Sequence, residues 1–322
     1  MAKGVVEILN TFVAKGFNLS MQPAFPYQIR GQQLWLSPHR CIFWEEERSL
    51  ILSDLHFGKT GHFRKAGIAV PQMVYREDLL RLLSLIQYFQ PRQLLVVGDF
   101  FHSRENKELS LFRRWRDDFP DLGIRLILGN HDILGESWYA EAGITVTREV
   151  LRMGAFAFIH DITMIGEEGG VAAKGPGAAK EPGAAKGPGA AKERPYFFSG
   201  HLHPGIRIRG GGRQVLQFPC FYFGGDYAVL PAFGRFTGTV SIDPLPESNV
   251  FAILPPTGGE RPWSAQRYGR TGPRTDANAE GKAAMKERGS RGGGVWMGGG
   301  GMATDRSWPG PANGAGSIFQ IQ

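Results

Sequence analysis

Three short apolar runs, Leu50–Leu52, Leu94–Val97 and Ile124–Leu128, each break off into a polar cluster, and segments of helical length separate them. Runs of this kind read as buried parallel strands, and strand, helix, strand, helix, strand is the βαβ arrangement. Sheets so built meet their ligands at the C-terminal strand ends. Those ends carry Asp54-Leu-His56, Gly98-Asp99-Phe-Phe-His102 and Gly129-Asn130-His131-Asp132. On an extended segment, side chains two apart point the same way, so Asp54 and His56 are expected to reach one metal ion together.

Between these ends, Pro71 suits the first turn of a helix to about residue 89. Val74, Leu79, Leu80, Leu82, Leu83, Ile86 and Phe89 form its apolar stripe, with Arg76, Asp78 and Arg81 largely off it. Ser103 is expected to cap a second helix running to about Phe119, and Asp132 to cap a third. Upstream, Leu34, Leu36, Cys41 and Phe43 alternate across Ser37-Pro38-His39, a hairpin that leaves His39 on the surface. Downstream, Ala155–His160, Tyr196–Ser199, Ile206–Arg209 and Val215–Phe218 read as further strands. Tyr196–Ser199 runs into Gly200-His201-Leu-His203. The second half is therefore rich in β-structure, and a mixed or two-sheet core is expected.

Three segments cannot build that core. Residues 1–26 are read as an N-terminal extension. Residues 166–195 repeat Ala-Ala-Lys every six residues between Gly-Pro punctuation, and residues 256–322 are rich in Gly and Arg without apolar periodicity. The first of these two tracts is expected to be a solvated insertion and the second a disordered tail, leaving 27–250 as the folded domain. The formal charge of +7 favours an anionic partner, although residues 255–322, with nine Arg or Lys against five Asp or Glu, hold four of those charges. Only Cys41 and Cys220 occur, with no Cys-x-x-Cys spacing, so neither a disulfide framework nor a structural zinc site is expected. No apolar run is long enough to span a bilayer, and a cytoplasmic protein is expected.

Taken in order, Asp54-x-His56, Gly98-Asp99-x-x-His102, Gly129-Asn130-His131, the strand-end His160 and Gly200-His201-x-His203 resemble the five sequence blocks of the calcineurin-like metallophosphoesterases. The resemblance implies a four-layer αββα sandwich, with two mixed β-sheets flanked by helices. It also implies two divalent metal ions: Asp54, His56 and His203 on one, Asn130, His160 and His201 on the other, and Asp99 bridging them. Imidazole, carboxylate and amide donors favour manganese, with iron or zinc also suited. A hydroxide shared by the metals would then attack phosphorus in line. His131 directly follows a ligand without being one, and its reading is transition-state stabilisation or protonation of the leaving oxygen. His102 resembles the partner of that histidine in the SbcD-type nucleases, with an outer-shell role in orienting Asp99 as the alternative. Were His160 a packed strand histidine instead, the second metal would lack a ligand.

Outside those blocks, Asp54-Leu-His-Phe-Gly-Lys59, His62-Phe-Arg64-Lys-Ala-Gly-Ile-Ala-Val-Pro71, Gly98-Asp-Phe-Phe-His-Ser103, Phe218-Pro-Cys-Phe and Leu230-Pro-Ala-Phe-Gly234 are similar to the PdeM family, the ligase-associated DNA damage response endonucleases of bacteria. The likeness spans roughly residues 30–240. It implies a DNA endonuclease whose partners are DNA, an ATP-dependent DNA ligase and a DEXH helicase. Two rivals stay open: a small-molecule phosphodiesterase or phosphomonoesterase on the same scaffold, and a non-catalytic DNA-repair scaffold. Lys59, Arg64 and Lys65 could steer a polyanion to the metals.

Overall fold

The computed structural model describes residues 21–59, 73–102, 107–165, 194–210, 214–255 and 318–321. Residues 1–20 of the N-terminal extension, the loop with His62, Arg64 and Lys65, the Ser103 cap, the repeat tract at 166–193 and the tail at 256–317 lie outside them. No helix among the described residues is long and apolar enough to cross a membrane.

Two mixed sheets form the core, as the β-rich second half implies. The first has the order β1 (Phe25–Ile29), β2 (Gln32–Ser37), β3 (Cys41–Trp44), β4 (Ser49–Leu52), β5 (Gln93–Val97), β6 (Gly123–Ile127), β7 (Ile144–Thr147). It begins as an antiparallel meander and becomes parallel from β4 to β7. The crossovers carry α1 (Met73–Phe89), α2 (Lys107–Asp117) and the short α3 (Glu136–Glu141).

The second sheet has β8 (Leu151–Met153), β9 (Phe156–Ile159), β10 (Tyr196–Ser199), β11 (Pro204–Arg209), β12 (Val215–Phe223), β13 (Tyr227–Val229), β14 (Val240–Ser241), β15 (Asn249–Ile253) and β16 (Ile318–Ile321). Its main path is β14-β11-β12-β13-β10-β9-β8, with β15 beside β12 and β16 beside β15. The parallel pairing of β9 with β10 and of β10 with β13 sets the ends of β9 and β10 side by side.

Alternation along the strands makes the sheets pack face to face. Leu34, Leu36, Trp44, Ile51, Leu95 and Val97 of the first share one buried cluster with Phe156, Phe158, Phe198, Phe221, Phe223 and Phe251 of the second. The Trp44 indole lies 4.7 Å from Phe156 and donates its N–H to Gln32 Oε1, so even this buried polar atom is satisfied. The outer face of the first sheet takes the helices, with Phe43 stacked on Phe89 of α1 at 4.9 Å. On the second sheet the 3-10 turn Ile162–Met164 packs over Ala157, Ile159 and Phe197.

Several expectations are corrected at this level. The domain boundary at residue 27 falls inside β1, whose Pro26 hides the strand pattern; it is an edge strand, where a missing N–H is tolerated. Phe25 and Tyr27 rest on Phe251 and Phe223 at 5.3 and 4.4 Å. The tail assigned to disorder contains β16, paired antiparallel with β15, and Ile318 is buried in the main core. Four residues beyond a glycine-rich tract carry too short a period to announce a strand. His39 is half-buried in its turn, not exposed as expected: burial, with Arg81 and Arg235 nearby, lowers its pKa to about 3. Asp78 and Arg81 are buried too, because α1 has a second contact that its apolar stripe does not show.

Ile318→Ala should lower unfolding free energy by about 2 kcal/mol in urea titration, the cost of truncating a buried Ile. An unchanged midpoint would show that β16 is dispensable to the core.

Candidate metal centre

Seven of the residues singled out in the sequence stand immediately after strands, and the two sheets bring them together at one end of the sandwich. Asp54 and His56 follow β4, Asp99 follows β5, Asn130 follows β6, His160 follows β9, and His201 and His203 follow β10. Two groups result. The donor atoms of Asp54, His56 and His203 lie within 4.8 Å of one another, and so do those of Asp99, His160 and His201. Each group draws on both sheets. Asn130 joins the second, its Oδ1 3.1 Å from His160 Nε2.

Asp99 faces both groups. Its Oδ1 lies 3.6 Å from His160 Nε2 and its Oδ2 lies 4.0 Å from His56 Nε2. One carboxylate oxygen turned toward each group is the arrangement a bridging ligand needs. The His131 amide donates to Asp99 Oδ1 at 2.9 Å and fixes the carboxylate's rotation.

The backbone differs from the extended segment expected at Asp54-x-His56. Asp54 (φ 52°), His56 (φ 50°), Asp99 (φ 49°), His201 (φ 67°) and His203 (φ 48°) all occupy the left-handed region. Tight turns, not strand alternation, make the side chains converge. Asp and His tolerate this region better than most residues, at a cost of about 1–3 kcal/mol each. Hydrogen bonds between the loops hold it: Asp54 N to Gly98 O at 3.1 Å, His56 N to Asp99 O at 2.9 Å, His201 N to Asp54 Oδ2 at 3.1 Å. Phe100 and Phe101, directly after Asp99, bury against Phe112 of α2, with Phe101 also against Trp138 of α3, anchoring the second loop.

Three glycines are shaped by what lies against them. A Cβ on Gly98 would stand 1.9 Å from His160 Nδ1, one on Gly129 2.2 Å from Asp99 Oδ1, and one on Gly200 2.7 Å from Asp54 Oδ2. The close approach at Gly98 lets His160 Nδ1 reach the Val97 carbonyl at 3.1 Å, leaving Nε2 to point at Asp99 and Asn130. A histidine ligand held through its other nitrogen in this way is the usual support of a metal site.

The donor set fits divalent ions. Burial pushes Asp54 up, but His203, His160 and His56 more than offset it and hold the carboxylate below its usual range. Burial lowers His56 to about 3, so its ring is neutral, and neither ring nitrogen has a hydrogen-bond partner. A buried neutral imidazole without a partner, beside an ionised carboxylate, has donor capacity that a cation would use.

The site is deep on one side and open on the other. Asp54, His56, Asp99 and His160 are buried, whereas Asn130 and His201 are exposed and the His131 side chain is 44% accessible. His131 lies outside both groups, its Nε2 4.0 Å from Asp99 Oδ2. The His102 ring sits 4.3 Å from His131 and 5.4 Å from His56.

Asp132 is expected to cap a helix, yet α3 begins later, after Gly135. Its carboxylate accepts from Phe101 N at 3.0 Å and Gly129 N at 2.9 Å, tying the second and third loops together. Burial raises its pKa to about 7, although the two N–H groups pull the other way. The three-residue spacing from Gly129 was the available signal. Lys59 is half-buried beside the centre; burial lowers its pKa, against the pull of Asp99 and Asp54.

Part of the chain is similar to a known family of phosphoesterases. Residues 48–176 match the family model of the calcineurin-like phosphoesterases, a span that holds every proposed ligand except His201 and His203. The crystal structure of Pseudomonas putida nuclease MPE is similar, with 29% identity and a TM-score of 0.55 over 71% of this chain and 96% of that one. A protein of unknown function from Aquifex aeolicus aligns over 35% of this chain and 60% of its own, at 17% identity and a TM-score of 0.27. No curated protein matches.

Gly98→Ala should displace His160 and weaken divalent-metal retention by about 10- to 100-fold, the usual cost of disturbing a ligand's support. Metal analysis after dialysis checks this, and wild-type content would refute the assignment of His160.

Proposed function

We propose that this chain, which belongs to the calcineurin-like metallophosphoesterases and is a metal-dependent phosphoesterase of PdeM-like type, is a nuclease that cleaves phosphodiester bonds in DNA. The observation that carries the reading is the pair of ligand groups joined by Asp99, with His131 beside them on the open side. The likeness to a solved nuclease supports a nucleic-acid substrate.

Asp54, His56 and His203 would hold one divalent ion, and Asn130, His160 and His201 the other, with Asp99 between them; manganese is the proposed metal. Ions bound there supply positive charge to the phosphoryl oxygens and make a water more acidic. The chain's own residues do the rest. Hydrogen bonds from His131 and His201 amides keep the two carboxylates aimed inward. His131, accessible and uncommitted to either group, is placed to protonate the departing oxygen of a diester. His102, ring to ring with His131, is read as its partner rather than as a support for Asp99. Non-ligand imidazoles at the mouth have no use in a purely structural scaffold.

The strand after His203 offers a path for a polyanion. Arg207 and Arg209 are exposed on β11, which starts at Pro204, and no Asp or Glu occurs from Arg194 to Gly225. An acid-free, arginine-bearing strand beside the centre suits a phosphate backbone. An ATP-dependent DNA ligase and a DEXH helicase remain the proposed protein partners, to be sought by co-purification.

A panel of mono- and diesters and labelled DNAs, with Mn²⁺ or EDTA, tests the function. Cleavage of DNA in Mn²⁺ and none in EDTA is the expected result; efficient monoester hydrolysis with every DNA left intact points to a phosphatase. Asp99→Asn should lose both metal and activity. His131→Ala should keep its metal but lose turnover by about 10² to 10⁴, the usual worth of a general acid. Reversing charge with Arg207→Glu and Arg209→Glu should weaken DNA binding and reduce its salt slope by roughly one per lost phosphate contact. Hydrolysis of a small diester should not change in that double variant.

A further inference from the structure

Beyond the end of β4, a segment of the second half of the chain lies along the first metal-binding loop. Ala232 pairs in parallel with Ser53. Phe233 N donates to Ser53 O at 2.8 Å and Gly234 N to Asp54 O at 3.1 Å, while the Ser53 hydroxyl reaches Pro231 O at 3.4 Å. A Cβ on Gly234 would meet Leu55 O at 2.8 Å, so the contact leaves no space for a side chain. Asp54 is thus gripped through both of its peptide groups, by this strap on one side and by Gly98 on the other.

The strap is itself held from behind by two guanidinium groups. Arg40, in the β2–β3 turn, donates to the carbonyls of Ala232 at 3.2 Å and Gly234 at 3.3 Å. Arg81 of α1 donates to the carbonyl between them, that of Phe233, and lies 4.0 Å over the Phe233 ring. Three successive carbonyls therefore end on arginines. Asp78, one turn before Arg81, pairs with it at 2.9 Å and accepts from Arg235 N at 3.2 Å. A buried ion pair contributes little net stability once desolvation is counted, so conserving stability is a poor account of this one.

We propose that Arg40 and Arg81, the latter oriented by Asp78, are positioning residues that act through the Pro231–Gly234 strap to fix Asp54 and with it the Asp54, His56 and His203 group. This rests on the two-metal reading above. None of the three belongs to either ligand group. The strap reaches Asp54, whereas the Asp99 group is held through Val97, His131 and Asn130. Asp54 also accepts from His201 N, so loss of the strap is felt most at the ion of the Asp54 group and only weakly, through that one bond, at the other.

The test measures Mn²⁺ affinity calorimetrically on the full chain. His201→Ala disables the Asp99 group and leaves the Asp54 group to be read; His56→Ala does the reverse. In the His201→Ala background, Arg40→Met, Arg81→Lys and Gly234→Ala should each weaken Mn²⁺ binding by about 10- to 100-fold. In the His56→Ala background they should weaken it by less than about threefold, because the strap reaches that group only through the bond from His201 N to Asp54. Circular dichroism confirms that each variant is folded, and should Arg81→Lys fail to fold, Arg40→Met and Gly234→Ala read the same strap. Unchanged affinity in the first background, or equal weakening in both, overturns the proposal. A wild-type chain that binds no Mn²⁺ overturns the two-metal reading first, and is seen before any variant is made.

Discussion

Everything at the metal centre depends on backbone that the chain would not choose by itself. Five of the seven proposed ligands are non-glycine residues with φ between 48° and 67°, each at some energetic cost. What makes them persist is reciprocal pinning: the loop after β4 bonds to the loop after β5, the loop after β10 bonds to the Asp54 carboxylate, and Asp132 ties the loops after β5 and β6. No loop is held by its own strand alone. The parallel register of β4, β5 and β6 brings those loops to one level, and the shared aromatic core sets the second sheet's loops against them.

This explains which parts of the molecule were legible in the sequence. Strands β4, β5, β6, β9 and β10 announce themselves because short apolar runs must be buried and polar clusters must follow them. The clusters could be named as ligands for the same reason. What the sequence does not carry is the conformation that makes neighbours converge: Asp54-x-His56 fits strand alternation on paper, and in the fold both residues sit in left-handed turns. The three motif glycines were visible as letters, but the imidazole and carboxylates pressed against them were not.

The misreadings around α1 and the β2–β3 turn have one origin: polar residues there are expected to face water. Arg81 and Asp78 fall off the apolar stripe of α1, yet they face the strap and are buried. His39 lies in a turn, yet that turn packs near the same arginines. Periodicity reports which face is apolar and says nothing of a polar face that meets other polar groups. Leu230-Pro-Ala-Phe-Gly234 stands in the sequence only as a family motif, and its carbonyls, aimed at Arg40 and Arg81, give it a physical task.

Each ligand group takes members from both sheets, and Asp54 and His203 are far apart in sequence. A chain leaving the ribosome can close the first sheet when β7 has emerged, but it owns no complete site until residue 203 is out, and the strap follows only with residue 234. Long-range closures of this kind are slow, because the entropy of closing the loop must be spent before the contact is made. Metal binding therefore has to wait until strands of both sheets are in place. In the finished protein the ions would act as rivets across the seam between the sheets, and chelation should let the sandwich breathe along that seam before either sheet comes apart.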